Sequence, residues 1–180
     1  EDHIGGIPFL LQSINIPAIY APNHAKELIA VKLQDRNLRY DNLFVYTENT
    51  KLKFKEIEIE FFRTTHSIPD SHGISINTPD GRIITTGDYK FDLTPIGPMA
   101  DIHKMARIGE QGVRLLLSDS TNALSEGFSK SESRVDDVLH DIISRHHGRV
   151  IIATFASNIY RIKHIVETCK RNNRKIVTFG

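Results

Sequence analysis

Strictly alternating apolar and polar positions mark the middle of the chain. Within residues 56–65 the acidic and apolar side chains fall on opposite faces, as Glu56, Glu58 and Glu60 against Ile57, Ile59 and Phe61. This period of two predicts a half-buried strand with a solvated acidic face. Residues 73–78 and 82–86 predict two more strands. Pro79, Asp80 and Gly81 between them predict a tight hairpin turn, because an Asp-Gly pair tolerates positive φ angles.

The remaining elements follow from apolar spacing. Three- and four-residue spacing predicts helices at residues 6–13, 25–38, 131–147 and 158–170. Short apolar runs predict strands at residues 16–20, 43–47, 113–117, 150–153 and 175–179, with 113–117 central in its sheet. The final strand–helix–strand has uninterrupted apolar strands, which indicates a parallel βαβ unit covered on both faces. We therefore predict an α/β chain of α+β character, divided into domains 1–148 and 149–180.

Composition and charge narrow the function only slightly. The 180 residues are 39% hydrophobic and 25% charged with a net charge of +1, which is ordinary for a globular chain. Residues 145–175 contain eight Lys and Arg against the single acid Glu167, which is compatible with a polyanionic ligand or with a solvated helix face. The single Cys169 excludes an intrachain disulfide and indicates a reducing cytoplasm. No apolar run approaches the roughly 20 residues that a bilayer requires.

Three side chains that suit catalysis stand at predicted strand ends. His66 follows the alternating strand and opens a polar loop, where imidazole would be a good zinc ligand or would simply be hydrogen-bonded in a turn. Asp88 follows Gly87 at the end of the next hairpin, and its two oxygens would bridge two metals or cap local amides. Asp119 ends an apolar run, so we expect it to be paired with a metal, an imidazole or local amides.

A fourth candidate is the start of the helix at 158–170. Ser157 and Asn158 precede this helix and Arg161 lies in its first turn. Side chains of this kind normally cap a helix. The same free amides also form an anion site that the helix dipole strengthens.

The chain opens on Asp2-His3-Ile4-Gly5-Gly6, the ending of a His-x-His-x-Asp-His metal motif. Together with four later segments it resembles the metallo-β-lactamase superfamily and, within its β-CASP nuclease branch, the ribonuclease J family. The later segments are Thr65-His66-Ser67-Ile68-Pro69-Asp70-Ser71, Thr86-Gly87-Asp88, Asp119-Ser120-Thr121-Asn122 and Ala153-Thr154-Phe155-Ala156-Ser157-Asn158. The resemblance implies a partial αββα sandwich followed by the start of an α/β β-CASP domain.

The resemblance also implies a site with two divalent metal ions, zinc or alternatively manganese. Asp2 and His3 would bind the second metal, His66 the first, and Asp88 both. Asp2 would also orient the nucleophile, and Asp119 would steer a later histidine near the leaving group. The implied activity is hydrolysis of single-stranded RNA by a cytoplasmic homo-oligomer with no membrane association. Ser157, Asn158 and Arg161 would then contribute to the path of the RNA backbone.

The sequence departs from the family pattern in its ligand set. The first two histidines of the opening motif and the later β-CASP histidines are not among the 180 residues. The chain therefore looks like an internal fragment, and we expect the fragment itself to be inactive. Two alternatives stay open, a small-molecule hydrolase of the lactamase type and a non-catalytic RNA-binding scaffold.

Overall fold

Two β-sheets with helices on their outer faces dominate the computed structural model, which describes residues 2–129 and 131–179. The first sheet pairs β1 (Ile19–Ala21) with β2 (Leu43–Val45) in parallel. The elements around them are α1 (Ile7–Ser13) and the connecting helix α2 (Asn23–Asp35). Their apolar side chains form one core cluster, made of Ala21, Ile29, Leu33 and Leu43. The part of the chain that the structure describes contains no helix with the length and hydropathy of a membrane span.

The second sheet has five strands in chain order. They are β3 (Lys51–Phe54), β4 (Ile57–Arg63), β5 (His72–Thr78), β6 (Gly81–Thr85) and β7 (Leu115–Leu117). Neighbours are antiparallel except β6 and β7, which run parallel. The predicted hairpin between β5 and β6 is confirmed. Gly81 adopts a φ of +124°, which a residue with a side chain rarely takes.

Consecutive aromatic residues of β4 bind the layers together. Phe61 stacks on Tyr46 after β2, with ring centroids 3.6 Å apart. Phe62 faces the other way and packs with Ile84 and with Ile108 of α3 (Ile102–Glu110). Successive strand residues point to opposite faces. One face of the second sheet therefore lies toward Tyr46 and the first sheet, and the other face lies under α3. The order of layers is helix, sheet, sheet, helix. The mixed α/β fold and its partial αββα sandwich are confirmed. Burial at this interface raises the pKa of Tyr46 to about 12.

Two helices complete the described chain. They are α4 (Ser133–Arg145) and α5 (Ile159–Arg171), which pack against each other. Both were predicted within two residues of their ends. The boundary between domains 1–148 and 149–180 stays a prediction.

The strands predicted at 150–153 and 175–179 are wrong, because neither segment pairs with a strand in the described part of the chain. Ile151 is 86% exposed and Val177 is 79% exposed. Without strand neighbours to take up their amides and carbonyls, these apolar segments form no ladder. The central position predicted for 113–117 is also wrong. β7 forms an edge of the described sheet, and Leu116 is 58% exposed.

The predicted solvated acidic face of β4 needs a correction as well. Glu60 forms an ion pair with Arg82 at 2.8 Å, and the two side chains are only 13% and 10% exposed. Glu58 lies near Lys51 and remains much more exposed, at 43%. The strand β3 that carries Lys51 was missed by the sequence patterns, as was the helix α3.

Candidate metal centre

Asp88 lies where the polypeptide turns away from the end of β6. The turn is made at Gly87, whose φ is +59°. A Cβ there would approach the carbonyl oxygen of His72 to 3.3 Å, so glycine also suits the close packing. The side chain of Asp88 is 39% exposed and is therefore accessible to a ligand.

The two carboxylate oxygens of Asp88 face two different histidines. Its Oδ1 lies 3.1 Å from Nε2 of His3, and its Oδ2 lies 3.7 Å from Nε2 of His66. His3 reaches this point from the turn before α1, whereas His66 follows β4. One carboxylate is thus placed between two imidazoles that come from distant parts of the chain.

A backbone bridge keeps the His66 and Asp88 segments side by side. The amide of Lys90 donates to the carbonyl of Thr65 at 2.9 Å, and the Thr65 hydroxyl donates to the carbonyl of Lys90. Thr64 closes the loop from inside, since its amide donates to the Ser71 carbonyl at 3.0 Å. Both threonines are about 5% exposed. The geometry between His66 and Asp88 therefore rests on buried, hydrogen-bonded backbone.

Asp2 completes a cluster of candidate ligands. Its Oδ2 lies 3.9 Å from Nε2 of His3. Among the described residues, Asp2, His3 and Asp88 are the one group of three metal-ligating side chains whose ligand atoms lie within 4.8 Å of one another. A hydrogen bond from its own backbone amide and the neighbouring His3 lower the pKa of Asp2. At neutral pH it is a carboxylate.

The donor chemistry of these four residues fits divalent metal ions. Imidazole nitrogens and carboxylate oxygens are both ligands of zinc, and carboxylates also suit manganese. A carboxylate that faces one histidine with each oxygen has the geometry of a ligand shared between two ions. The structure thus brings together all four predicted ligands: Asp2, His3, His66 and Asp88. That they bind metal stays a prediction.

Asp119 is paired with local amides, which is one of the three kinds of partner expected from the sequence. Its Oδ1 accepts the amide of Thr121 at 2.9 Å and the Thr121 hydroxyl at 2.7 Å. Its Oδ2 lies 3.5 Å from the amide of Tyr89, the residue after Asp88. The hydroxyl and amide of Thr121 lower the pKa of Asp119. Asp119 thus supports the loop next to the cluster, and its catalytic role stays a prediction.

The residues predicted to bind RNA lie elsewhere, at the start of α5. Asn158, rather than Ser157, caps this helix, since its Oδ1 accepts the amide of Arg161 at 3.0 Å. The guanidinium of Arg161 donates to Oε2 of Glu132 from Nη2 at 2.7 Å and from Nε at 3.1 Å. Capping and an ion pair are therefore what these side chains do here. Their contact with RNA stays a prediction.

Comparison with known proteins shows which proteins this chain is similar to. A family model described as "Ribonuclease J, beta-CASP domain" matches residues 147–180. Ribonuclease J 1 of Streptococcus pyogenes serotype M3 is 52% identical across the whole chain, and ribonuclease J of Mycoplasma genitalium is 42% identical. Ribonuclease J2 of Bacillus subtilis is 39% identical, again across the whole chain. The chain thus matches ribonuclease J proteins over its full length.

The match covers only part of each ribonuclease J. The chain spans about a third of the curated relatives, 32% of the S. pyogenes and M. genitalium proteins and 33% of the B. subtilis protein. A crystal structure of a protein of unknown function from Enterococcus faecalis V583 has a TM-score of 0.62 and 16% identity. The match covers 83% of this chain and 39% of the E. faecalis protein. At that identity the similarity concerns the fold alone.

Sequence reasoning missed several polar residues beside the ribonuclease J motifs. A cavity of about 180 Å³ opens next to His66, and its lining includes His72, Lys90, Glu132 and Tyr160. The side chain of His72 is 5% exposed, and neither ring nitrogen has a hydrogen-bond partner among the described residues. Burial lowers its pKa. No local pattern signals such residues, because the contacts of Glu132 span 29 residues to Arg161 and 42 to Lys90.

Proposed function

We propose that the chain contributes the metal centre of a metal-dependent ribonuclease that hydrolyses phosphodiester bonds of single-stranded RNA. The observation that carries the proposal is the position of Asp88 between His3 and His66. The names of the relatives supply the substrate, since each is called a ribonuclease J. The hydrolysis would be 5′–3′ exonucleolytic, endonucleolytic or both.

The proposed site assigns a role to each cluster residue. Asp2, His3 and Asp88 would hold one ion, and His66 with the second oxygen of Asp88 would hold the other. When bound, a pair of divalent ions neutralises the phosphate and provides a nucleophile at neutral pH. Asp2 is 85% exposed and its pKa is lowered, so its charged carboxylate would accept a hydrogen bond from the attacking water and orient it. Asp119 keeps the adjacent loop in place through Thr121 and Tyr89.

The remaining parts of the proposal come from the resemblance. They comprise zinc or manganese as the metal, an RNA path near Ser157, Asn158 and Arg161, a homo-oligomer and a cytoplasmic location. The eight-to-one excess of Lys and Arg over acids in residues 145–175 supports an anionic strand on this side. The unpaired Cys169 is consistent with a reducing compartment.

The test compares two aspartates in a full-length protein that contains this chain. We expect Asp88→Ala to lower hydrolysis of single-stranded RNA with added zinc or manganese by at least about 100-fold, because both ions would lose a ligand. Asp80→Ala, at the exposed hairpin turn, should leave the rate unchanged. Hydrolysis that survives Asp88→Ala would refute the proposal. Cleavage of β-lactam or thioester substrates instead of RNA would favour the small-molecule hydrolase, and RNA binding without hydrolysis would favour the scaffold.

A further inference from the structure

Glu132 lies at a junction of three parts of the chain. It is the residue before α4, and its side chain is 14% exposed. One carboxylate oxygen accepts both donors of Arg161 on α5, and the other lies 3.4 Å from Nζ of Lys90. Burial alone would raise the pKa of Glu132, but the hydrogen bond from Arg161 and the charge of Lys90 lower it. The carboxylate is therefore charged and paired on both sides.

The neighbouring Asp92 ties the same junction through the backbone. Its Oδ2 accepts the hydroxyl of Ser131 at 3.0 Å and the amide of Glu132 at 3.3 Å. Its Oδ1 accepts the amide of Thr94 at 3.0 Å. The side chain of Asp92 is only 3% exposed, and Nζ of Lys90 lies 3.6 Å from it. The start of α4 is thus fixed against the segment that follows Asp88.

Lys90 connects this junction to the candidate metal centre. It lies two residues after Asp88, and its backbone bridges to Thr65, the residue before His66. A continuous series of contacts therefore runs from Arg161 through Glu132 and Lys90 to both ligand segments. Glu132 and Lys90 are only partly exposed, at 14% and 20%. A polar network shielded from solvent holds a single arrangement when every member is paired.

We propose that Glu132 is a positioning residue that couples α5 to the spacing of His66 and Asp88. The functional part of this inference rests on the proposed metal site, whereas the coupling rests on the contacts alone. Residues outside the ligand set that orient a metal site commonly change its affinity. Glu132 would do so by fixing Lys90, and through it the two ligand segments. Glu132 is not one of the four candidate ligands.

Hydrogen exchange in the full-length protein tests the coupling directly. Glu132→Gln keeps the shape of the side chain and removes its charge. We expect about three- to tenfold faster amide exchange in three regions, 63–67, 88–92 and 157–163. The matched control is Asp141→Asn, which removes an exposed carboxylate 2.6 Å from Arg145 on the same helix. It should leave the three regions unchanged.

A second variant tests whether the coupling passes from Glu132 through Lys90 to the two ligand segments. Lys90→Gln removes one side of the junction and leaves the pair of Arg161 and Glu132 intact. We expect faster exchange in 63–67 and 88–92 and no change in 157–163. Acceleration confined to 157–163 in Glu132→Gln would overturn the proposal, because Glu132 would then serve only to dock α5.

Zinc affinity separates the coupling from the function it serves. A competition titration well below the unfolding temperature should show about tenfold weaker zinc binding for Glu132→Gln and for Arg161→Gln, and no change for Asp141→Asn. Affinities within twofold of the parent would overturn the positioning role. A parent protein that neither binds zinc nor hydrolyses RNA would instead refute the proposed function, and the exchange data would still decide the coupling.

Discussion

Oδ2 of Asp88 lies 3.7 Å from Nε2 of His66, although the two residues follow different strands, β6 and β4. The opposite oxygen of the same carboxylate faces His3. If each oxygen binds its own metal ion, a substitution on one side of Asp88 should remove one ion and leave the other bound.

We expect His66→Ala in the full-length protein to remove about one of two bound zinc ions, because the ion on its side would lose an imidazole. Metal analysis after exhaustive dialysis measures the stoichiometry. The control is His103→Ala, on an exposed position of α3, which should retain the parent's zinc content. Unchanged zinc content in His66→Ala would contradict the assignment of His66 as a ligand.

Removing the acid from the buried pair of Glu60 and Arg82 should destabilise the protein far more than removing Glu58 from its exposed pair with Lys51. Arg82 also donates to the hydroxyl of Ser75 at 2.6 Å, and Ser75 is fully buried. Removing Glu60 leaves a buried guanidinium without its counter-charge, so Glu60→Ala should cost about 3 kcal/mol of unfolding free energy. Glu58→Ala, which removes an exposed partner of Lys51, should cost about 0.5 kcal/mol or less. Urea denaturation of the full-length variants measures both, and equal costs would contradict the prediction.

These two glutamates also mark what the sequence can and cannot predict. Alternation correctly places Glu58 and Glu60 on one face of β4, because the side-chain period belongs to the strand itself. It does not reveal that Arg82 covers one of them, since that depends on the register of β4, β5 and β6. The same limit explains the two strands wrongly predicted at 150–153 and 175–179. An apolar run indicates that a segment is suited to burial, but it does not show which strand or helix packs on it.

The candidate ligands were easier to predict than the residues that hold them in place. Asp2, His3, His66 and Asp88 stand in short motifs at turns and strand ends, so their types and places are readable one by one. Glu132 and Lys90 carry no such signal, because each takes its role from partners far along the chain. Helix α3 was missed although Asp101 does cap it, with Oδ1 accepting the amide of Lys104 at 2.9 Å. Ile102, Met105 and Ile108 then follow at three-residue spacing.

The hydrogen bonds of Asp119 predict a pH-dependent contribution to stability. Its pKa lies below the ordinary value of 3.8 in the folded protein, mainly through the hydroxyl of Thr121. A lowered folded pKa stabilises above the unfolded pKa, and that stabilisation is lost as the pH falls through the folded value. Thr121→Val should therefore cost roughly 0.5 kcal/mol at pH 7, a small figure because the site is open to solvent. Its cost should shrink below about pH 3.8.

Urea denaturation of parent and Thr121→Val at several pH values measures this difference. Thr50→Val is a control that removes a hydroxyl from an exposed turn, where it accepts the amide of Thr47. Its effect should not change between pH 7 and pH 3. A cost of Thr121→Val that is the same at both pH values would show that the hydroxyl does not act through the charge of Asp119.

Gly73 lies directly opposite Phe62 in the ladder of β4 and β5, and the ring of Phe62 covers it. A Cβ at Gly73 would lie 2.2 Å from Cζ of Phe62, so the aromatic side chain would have to move. Because Phe62 packs on Ile84 and Ile108 beneath α3, this movement should be costly. We expect Gly73→Ala to destabilise the full-length protein by about 2 kcal/mol through overpacking. Gly109→Ala, in α3, where the new Cβ would meet no atom of another element within 4 Å, should instead stabilise by about 0.5–1 kcal/mol.

A double-mutant cycle identifies the cause of the Gly73 effect. If the ring of Phe62 is the obstacle, Phe62→Leu should make room for the methyl group, and the two costs together should be less than additive by about 1 kcal/mol. Thermal and urea unfolding of the single and double variants supply the four free energies. Strictly additive costs would mean that the ring of Phe62 is not the obstacle to a side chain at position 73. The packing that we assign to this pair would then be wrong.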